Sequence, residues 1–361
     1  MAIDLSPPSA DEIEVNVFGP GFGESILIHV GQGRWIVFDS CLDTLSGRPA
    51  AAKYLDEIGV DCDDIVLIAA THWHDDHIRG IASLLRTAPN AAFACPFAFG
   101  LDDFIAVAEA YHRRHVTVAP GGMAEIYEAF SELRLRNKTP IFAKANTPLF
   151  PITPDPAVNY RVTSLSPHDV ELTTFLRMIT AFAIENDGIR RIPPINDNDI
   201  SMAAWVEIGE TKLLLGADLL EHQRSDRGWS AVVESGLRPR GQASIYKVSH
   251  HGSHTGHHDQ IWPALLTATP VAVLTPWNRG KKLPQPADID RLRKLGQGYA
   301  TARATTRSFH SQIAPVEKTI REIGAKIETT ASPTGQVRMR AGPAGTWRVD
   351  LSANACSLLN Y

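Results

Sequence analysis

The sequence predicts an α/β layered fold, with two sheets inside and helices outside. Short runs rich in Val, Ile and Leu alternate with segments whose apolar residues recur at three- and four-residue spacing, the two periods that mark strands and helices. Polar clusters follow directly after the apolar runs, so chemistry-bearing groups gather at strand ends.

Strands are expected at 14–18, 25–30, 35–39 and 65–71, then at 161–165, 203–208, 212–216, 245–249 and 271–274. Helical spacing appears at 50–58, 81–86, 101–115 and 123–134, with Leu101, Ile105, Ala108 and Tyr111 on one face. Between 139 and 195 eight prolines break up regular elements, which reads as long loops around a single strand and as a lid over the site. Beyond Pro270 the pattern gives a helix at 286–295, another near 316–323, and a terminal hairpin of 337–340 with 347–351. The expected division is a hydrolase domain over 1–310 and a C-terminal helix-and-hairpin extension over 311–361, a candidate surface for a second copy or a protein partner.

The 361 residues, 44% hydrophobic and 21% charged, suit a soluble enzyme. No stretch has the ~18 uninterrupted apolar residues of a membrane span, and the start lacks the basic and apolar regions of a signal peptide. A cytoplasmic location without membrane contact is expected. Cys41, Cys62, Cys95 and Cys356 are scattered and form no metal or disulfide framework. A net charge of −5 shows no global bias toward nucleic acid, although Arg279, Lys281 and Lys282 form a local basic group.

Residues 71–77 read Thr-His-Trp-His-Asp-Asp-His immediately after the apolar run 65–70. Imidazole and carboxylate suit zinc, manganese or iron, and His72, His74, Asp76 and His77 can serve two ions rather than one. Asp218 ends another apolar strand, and His250-His251-Gly252-Ser253 ends a third. A carboxylate between two cations lowers their repulsion, and paired cations make hydroxide available near neutral pH. His254, with His257 and His258, follows the Gly-Ser turn as a group able to meet phosphate or donate a proton.

The pattern His72-x-His74-x-Asp76-His77, then Asp218, then His250 resembles the metallo-β-lactamase superfamily, an αββα sandwich of hydrolases with a two-metal centre. Within it the chain is most similar to the branch containing the soluble domain of the DNA-uptake protein ComEC. The marks are the opening Gly19-Pro20-Gly21-Phe22-Gly23-Glu24, Asp39 at a strand end, Asn198 to Ser201 as Asn-x-x-Ser, and His-His-Gly-Ser. The resemblance implies two divalent ions, zinc or manganese, with His72 and His74 on one, Asp76 and His77 on the other, and Asp218 between them. It implies His250 as the final ligand, being first after the strand, and leaves His251 to touch substrate or protonate a leaving group; the reverse assignment stays open. Asp76 would also orient the attacking hydroxide, and Asp39 would fix an imidazole tautomer.

The chain departs from the family where a third histidine usually serves the first metal. Asn198 or Asp199 offers oxygen there, a donor that favours manganese, and His168 is a further candidate. Ala217 stands where the family usually has glycine. Phosphodiester cleavage, including a nuclease-like activity on nucleic acid, is the expected chemistry, with Ser253, His254, Trp277 and Lys281 toward substrate. A lactone, thioester or lactam hydrolase is the alternative enzyme, and a non-catalytic metal-containing subunit the alternative from another class.

Overall fold

A computed structural model describes residues 3–114, 121–151, 158–185, 197–303, 333–342, 345–352 and 354–361. In chain order the strands are β1 (Ile13–Gly19), β2 (Ser25–His29), β3 (Trp35–Phe38), β4 (Ile65–Ala69), β5 (Ala92–Pro96), β6 (Ile141–Ala143), β7 (Thr147–Phe150) and β8 (Tyr160–Ser164). They continue with β9 (Ala204–Ile208), β10 (Thr211–Leu215), β11 (Ala243–Lys247), β12 (Leu266–Leu274), β13 (Gln297–Ala300), β14 (Gly335–Ala341), β15 (Arg348–Leu351) and β16 (Cys356–Ser357). The helices are α1 (Ala50–Glu57), α2 (Asp75–Ile78), α3 (Ile81–Thr87), α4 (Asp102–Arg114), α5 (Gly122–Leu135), α6 (Asp169–Glu185), α7 (Gly228–Glu234), α8 (Ile261–Leu265) and α9 (Pro286–Leu295).

Period-two alternation sorts the side chains into layers. In the first sheet Leu27, Val37 and Ile68 pack with residues of α1, α3, α4, α5 and α6, while their neighbours Ile26, Ile28, Ile36, Phe38, Leu67 and Ala69 face the other sheet. In the second sheet Leu213, Leu215 and Ile245 complete that inter-sheet core, and Leu214 and Tyr246 pack with Trp229, Ile261 and Ile289 outside. Three apolar layers therefore separate helix, sheet, sheet and helix: the expected αββα sandwich.

The sheets run β15-β14-β1-β2-β3-β4-β5-β6 and β16-β13-β12-β11-β10-β9-β8-β7. Parallel pairing of β3 with β4, and of β10, β11 and β12 with one another, places their carboxyl ends along shared edges. Parallel strands offer ligands at that end, beyond the last ladder bond.

Two expectations change. The segment 139–195 is not a loop cover over its described part: β6 extends the first sheet, β7 and β8 extend the second, and the seventeen-residue α6 buries Leu172, Phe175 and Ile179 in the first outer core. Among the described residues Pro140, Pro151 and Pro167 fall between these elements, and Pro148 is accommodated within the edge strand β7. The expected boundary at 310 also divides both sheets. β14 pairs with β1 at seven positions from Ile13↔Ala341 to Gly19↔Gly335, and β16 pairs with β13. The helix expected near 316–323 lies outside the described residues.

Because β14 lies between β1 and β15, its loss would bare the edge of β1 and two walls of the inter-sheet core, Val337 and Met339. Chain terminated after Arg307 is expected to lack a cooperative thermal transition by circular dichroism and to be cleaved rapidly by protease. A cooperative melt near that of the full chain would show that the tail is dispensable.

Candidate metal centre

After β4 the chain leaves the sheet extended, and successive side chains point opposite ways. Trp73 turns into the outer core, with its ring 5.3–5.7 Å from those of Phe99, Phe104 and Phe175; truncating a buried tryptophan of this kind costs about 3–5 kcal/mol. His72 and His74, on either side, are thereby committed to the opposite face. The Asp75 carboxylate accepts the Gly122 N–H at 2.6 Å and tethers the loop to α5. A Cβ on Gly122 would lie 1.7 Å from the Trp73 carbonyl oxygen, so only glycine permits this approach.

Six side chains converge on one buried point. His77 Nε2 is 3.5 Å from Asp76 Oδ2 and 3.4 Å from Asp218 Oδ1. His251 Nε2 is 3.2 Å from Asp76 Oδ2 and 3.3 Å from Asp218 Oδ2. His72 Nε2 is 4.0 Å from Asp218 Oδ2, and His74 Nδ1 is 3.2 Å from Asp76 Oδ1. Two overlapping ligand groups result, His72 with His77 and Asp218, and Asp76 with His77 and His251, each with donor atoms within 4.8 Å of one another.

Hydrogen bonds behind the imidazoles fix which nitrogen faces inward. Asp39 accepts His77 Nδ1–H at 2.6 Å, and Thr71 donates its N–H and its hydroxyl to the two Asp39 oxygens, each at 2.7 Å. With its proton given to Asp39, the Thr71 hydroxyl accepts from His72 Nδ1 at 3.0 Å. His251 Nδ1 donates to the Thr275 carbonyl at 2.9 Å. Three Nε2 lone pairs are thus aimed at two carboxylates. Glu24, Asp39 and His77 make a third close group, but the His77 nitrogen on that side carries its proton to Asp39.

These inward atoms are the measure of fit to a metal. Both Asp76 oxygens, both Asp218 oxygens, His72 Nε2, His77 Nε2 and His74 Nδ1 are buried with no hydrogen-bond partner among the described residues. Orphaned buried acceptors are expensive, and divalent cations are what an Asp and His donor set of this kind satisfies.

Protons fill the same role when cations are absent. Burial alone lowers the His251 imidazole, but the Asp218 and Asp76 carboxylates facing its Nε2 at 3.3 and 3.2 Å reverse this and push it up to about 10. His77, against the same burial penalty, is held well above its ordinary range by Asp76 and Asp218. His72 goes the other way, through burial and the nearby His77 charge. Asp76 and Asp218 fall below the carboxylate range because facing imidazolium charge outweighs their burial, whereas burial raises Asp39.

The turn after β11 decides which histidine enters. His250, His251 and Gly252 have φ of 46°, 53° and 81°, three successive left-handed residues. This turn reverses the expectation for the pair: His251 reaches the acids, while His250 Nδ1 meets Thr255 Oγ1 at 2.7 Å and its Nε2 meets Asn198 Nδ2 at 3.2 Å. Asn198 accordingly adjoins the cluster through His250, with its Oδ1 buried and unpartnered. Asp199 lies 3.4 Å from His222, outside the cluster, and His168 stands at the start of α6, 3.8 Å from Glu171, lining a separate cavity of about 440 Å³ with Lys144 and Glu234. Ser253 is committed to its own turn, accepting the Thr255 N–H, and His254 is exposed beside it. Trp277 stacks on His74 with ring centroids 5.1 Å apart, and Lys281 is exposed further along the same loop.

Sequence reasoning missed a brace beneath the cluster. Glu24 receives Lys247 Nζ and the Thr275 hydroxyl, each at 2.5 Å, while its backbone N–H donates to the Asp76 carbonyl at 2.7 Å. Its signal was Lys247 inside an apolar strand, since a lysine is almost never fully buried without a partner.

A family model for the metallo-beta-lactamase superfamily matches residues 18–261. The chain belongs to the metallo-β-lactamase superfamily. Solved structures of similar fold include the metallo-β-lactamase-fold protein YhfI from Bacillus subtilis, at 14% identity over 65% of this chain and 70% of that one, TM-score 0.34. A metallo-β-lactamase with a HARLDQ motif from Cronobacter sakazakii has 15% identity over 66% and 75%, TM-score 0.34. The subclass B3 enzyme MEM-A1 from a soil metagenome library has 14% identity over 69% and 83%, TM-score 0.33. No curated protein matches the chain. Among the described residues no helix is long and apolar enough to cross a membrane.

Asp39→Asn loses the acceptor that orients His77 and, through Thr71, His72; metal affinity is expected to fall about 10–100-fold with an unchanged circular dichroism spectrum, as read by competition with a chromophoric chelator. Unaltered affinity would show that Asp39 does not set the tautomers.

Protonated His251 and His77 stabilise the metal-free fold fully below the ordinary histidine value of 6.5, and that contribution is lost as pH rises toward about 10. Depressed Asp76 and Asp218 contribute above the ordinary carboxylate value of 3.8 and lose this as pH falls. Metal-free protein is therefore expected to melt at falling temperature from pH 6.5 to 9.5, and zinc added at pH 7 should release protons to an indicator dye. Flat melting temperatures and no proton release would show that the imidazoles are already neutral.

Proposed function

We propose that the chain is a two-metal hydrolase that cleaves phosphodiesters. The observation carrying this reading is the set of inward, unpartnered atoms on Asp76, Asp218, His72, His74 and His77, with His251 Nε2 facing both acids. His72 and His74 would hold one divalent ion, Asp76, His77 and His251 the other, and Asp218 would lie between them. When bound, the pair of ions supplies Lewis acidity and lowers the pKa of water into the neutral range.

The protein's own groups then define the rest of the reaction. Asp76 Oδ1, beside His74 and not hydrogen-bonded, is placed to orient the attacking water. Trp277 lies against both His74 and His251, its ring 5.1 and 5.6 Å from theirs, and shields one side of the site from bulk solvent. On the same side the Arg279 guanidinium lies over Phe22, which packs on Trp277, and a cation at the rim favours an anionic ester over an apolar lactone. Resemblance to the ComEC branch through Asn198, Ser201 and the His-His-Gly-Ser turn supports the same substrate class. Zinc suits the imidazoles, and an oxygen donor such as the unpartnered Asn198 Oδ1 would favour manganese.

The test is metal content by mass spectrometry alongside hydrolysis of bis-p-nitrophenyl phosphate with zinc or manganese. Wild type is expected to carry two ions and to turn over; chelation should abolish turnover and either ion restore it. Asp218→Ala should lose at least one ion and more than a hundredfold in rate. Turnover that survives chelation and the substitution would overturn the site, and two ions without phosphodiester cleavage would transfer the reading to carbon esters.

A further inference from the structure

The wall of the site carries an arrangement that metal binding and water activation do not use. The loop after β12 closes on itself, with Trp277 N–H donating to the Leu283 carbonyl at 2.8 Å and Leu283 N–H donating back at 2.9 Å. It is fastened to the glycine-rich opening, because Asn278 N–H donates to the Gly21 carbonyl at 2.8 Å. Gly21 has a φ of +87°, and a Cβ there would meet Asn278 Nδ2 at 2.6 Å, so glycine is what allows the loops to join. Together they form one rigid rim beside His74.

Phe22 and Trp277 pack on that rim with ring centroids 4.8 Å apart. The Arg279 guanidinium lies over Phe22, its carbon 3.4 Å from the ring centroid, and Arg79 approaches the same ring at 5.8 Å. The two arginines differ in their other commitments. Arg79 is paired with Asp75 at 3.1 Å, whereas Arg279 is exposed and has no carboxylate in ion-pair contact among the described residues. A guanidinium stacked on an aromatic ring keeps its donors in its own plane, directed outward, in the fork that matches a phosphate. Stacking also fixes the side chain before any ligand arrives, which lowers the entropy lost on binding.

We propose that this rim is a subsite for a second phosphate, and that the substrate is a nucleotide-like phosphodiester carrying one phosphate beyond the scissile one. The scissile phosphate lies at the acids and imidazoles, the nucleoside runs along the exposed edge of Trp277, and the further phosphate meets Arg279. Trp277 touches His74 on one side and Phe22 on the other, so three ring-scale contacts connect the reacting centre to the guanidinium. Arg279 is a specificity-determining residue, and Phe22 positions it. The proposal rests on the phosphodiesterase reading for its scissile group, while the subsite itself is open to a direct binding test.

Three esters separate the contributions in the full-length, metal-loaded protein: bis-p-nitrophenyl phosphate, thymidine 5′-(p-nitrophenyl phosphate), and the same nucleotide bearing a 3′-phosphate. From the second to the third, KM is expected to fall about tenfold with kcat little changed, as a charge-assisted contact to an exposed guanidinium provides. Arg279→Gln should bring that ratio close to one, Arg279→Lys should restore part of it, and Phe22→Ala should reduce it. Equal KM values for the two nucleotides in wild type, or a ratio that persists in Arg279→Gln, would overturn the proposal. If wild type cleaves none of the three, the phosphodiesterase reading fails, and calorimetry decides the subsite separately. Thymidine 3′,5′-bisphosphate should bind about tenfold more tightly than thymidine 5′-monophosphate in wild type and equally in Arg279→Gln; no difference in wild type would overturn it.

Discussion

Two buried carboxylates, Asp76 and Asp218, both face the Nε2 atoms of His77 and His251 at 3.2–3.5 Å. Like charges at such range cannot both stay ionised in a buried site unless positive charge lies between. That constraint organises the centre. The imidazoles present lone pairs because Asp39, Thr71 and Thr275 take or direct their other ring nitrogens, so the site demands either protons or cations and accepts both at the same atoms. The acids and the imidazoles arrive from different strands, and the sandwich serves to hold them where neither would go alone.

Holding them requires the two sheets to be fixed relative to each other. Asp76 lies in α2, just after β4 of one sheet, while Asp218 and His251 follow β10 and β11 of the other. The inter-sheet core of Val, Ile, Leu and Met is non-directional, so it secures the spacing of the sheets better than the angular relation of individual ligands. Glu24 supplies direction. It is bonded to Lys247 of the second sheet, to the threonine whose carbonyl holds His251, and through its own backbone to Asp76. A fully buried ion pair is a poor source of stability; its value here is that a displaced partner would leave a charge unpaired, so the two halves of the centre meet in one register.

Much of this was legible in the sequence because it is local. Strand and helix periods read off neighbouring residues, and the run His72 to His77 places four donors beside an apolar strand without any need for tertiary knowledge. What escaped was set by backbone conformation or by distant pairing. No propensity signals that His250 and His251 both adopt left-handed φ, and that alone exchanges their roles. Prolines on either side of α6 obscured a helix whose Leu172, Phe175 and Ile179 form a clear stripe. β14 looked like part of an appendage because its partner β1 lies at the other end of the chain, and Phe22 and Arg279 form a unit only after two separate loops are fastened together.

The pairing of β1 with β14 has a further meaning for how the molecule is made. Glu14 and Arg340 meet across that pair although 326 positions separate them in the chain. A contact of such long range is among the last to form, since the loop it closes must be ordered first. Until then β1 offers an unpaired edge, and the sheet that carries the histidine loop lacks one of its flanks. β1 therefore waits for a strand that follows it by more than 300 positions. During that interval the metal-binding imidazoles sit on an unfinished scaffold, so the ligand geometry is complete only once the two ends of the sheet have met.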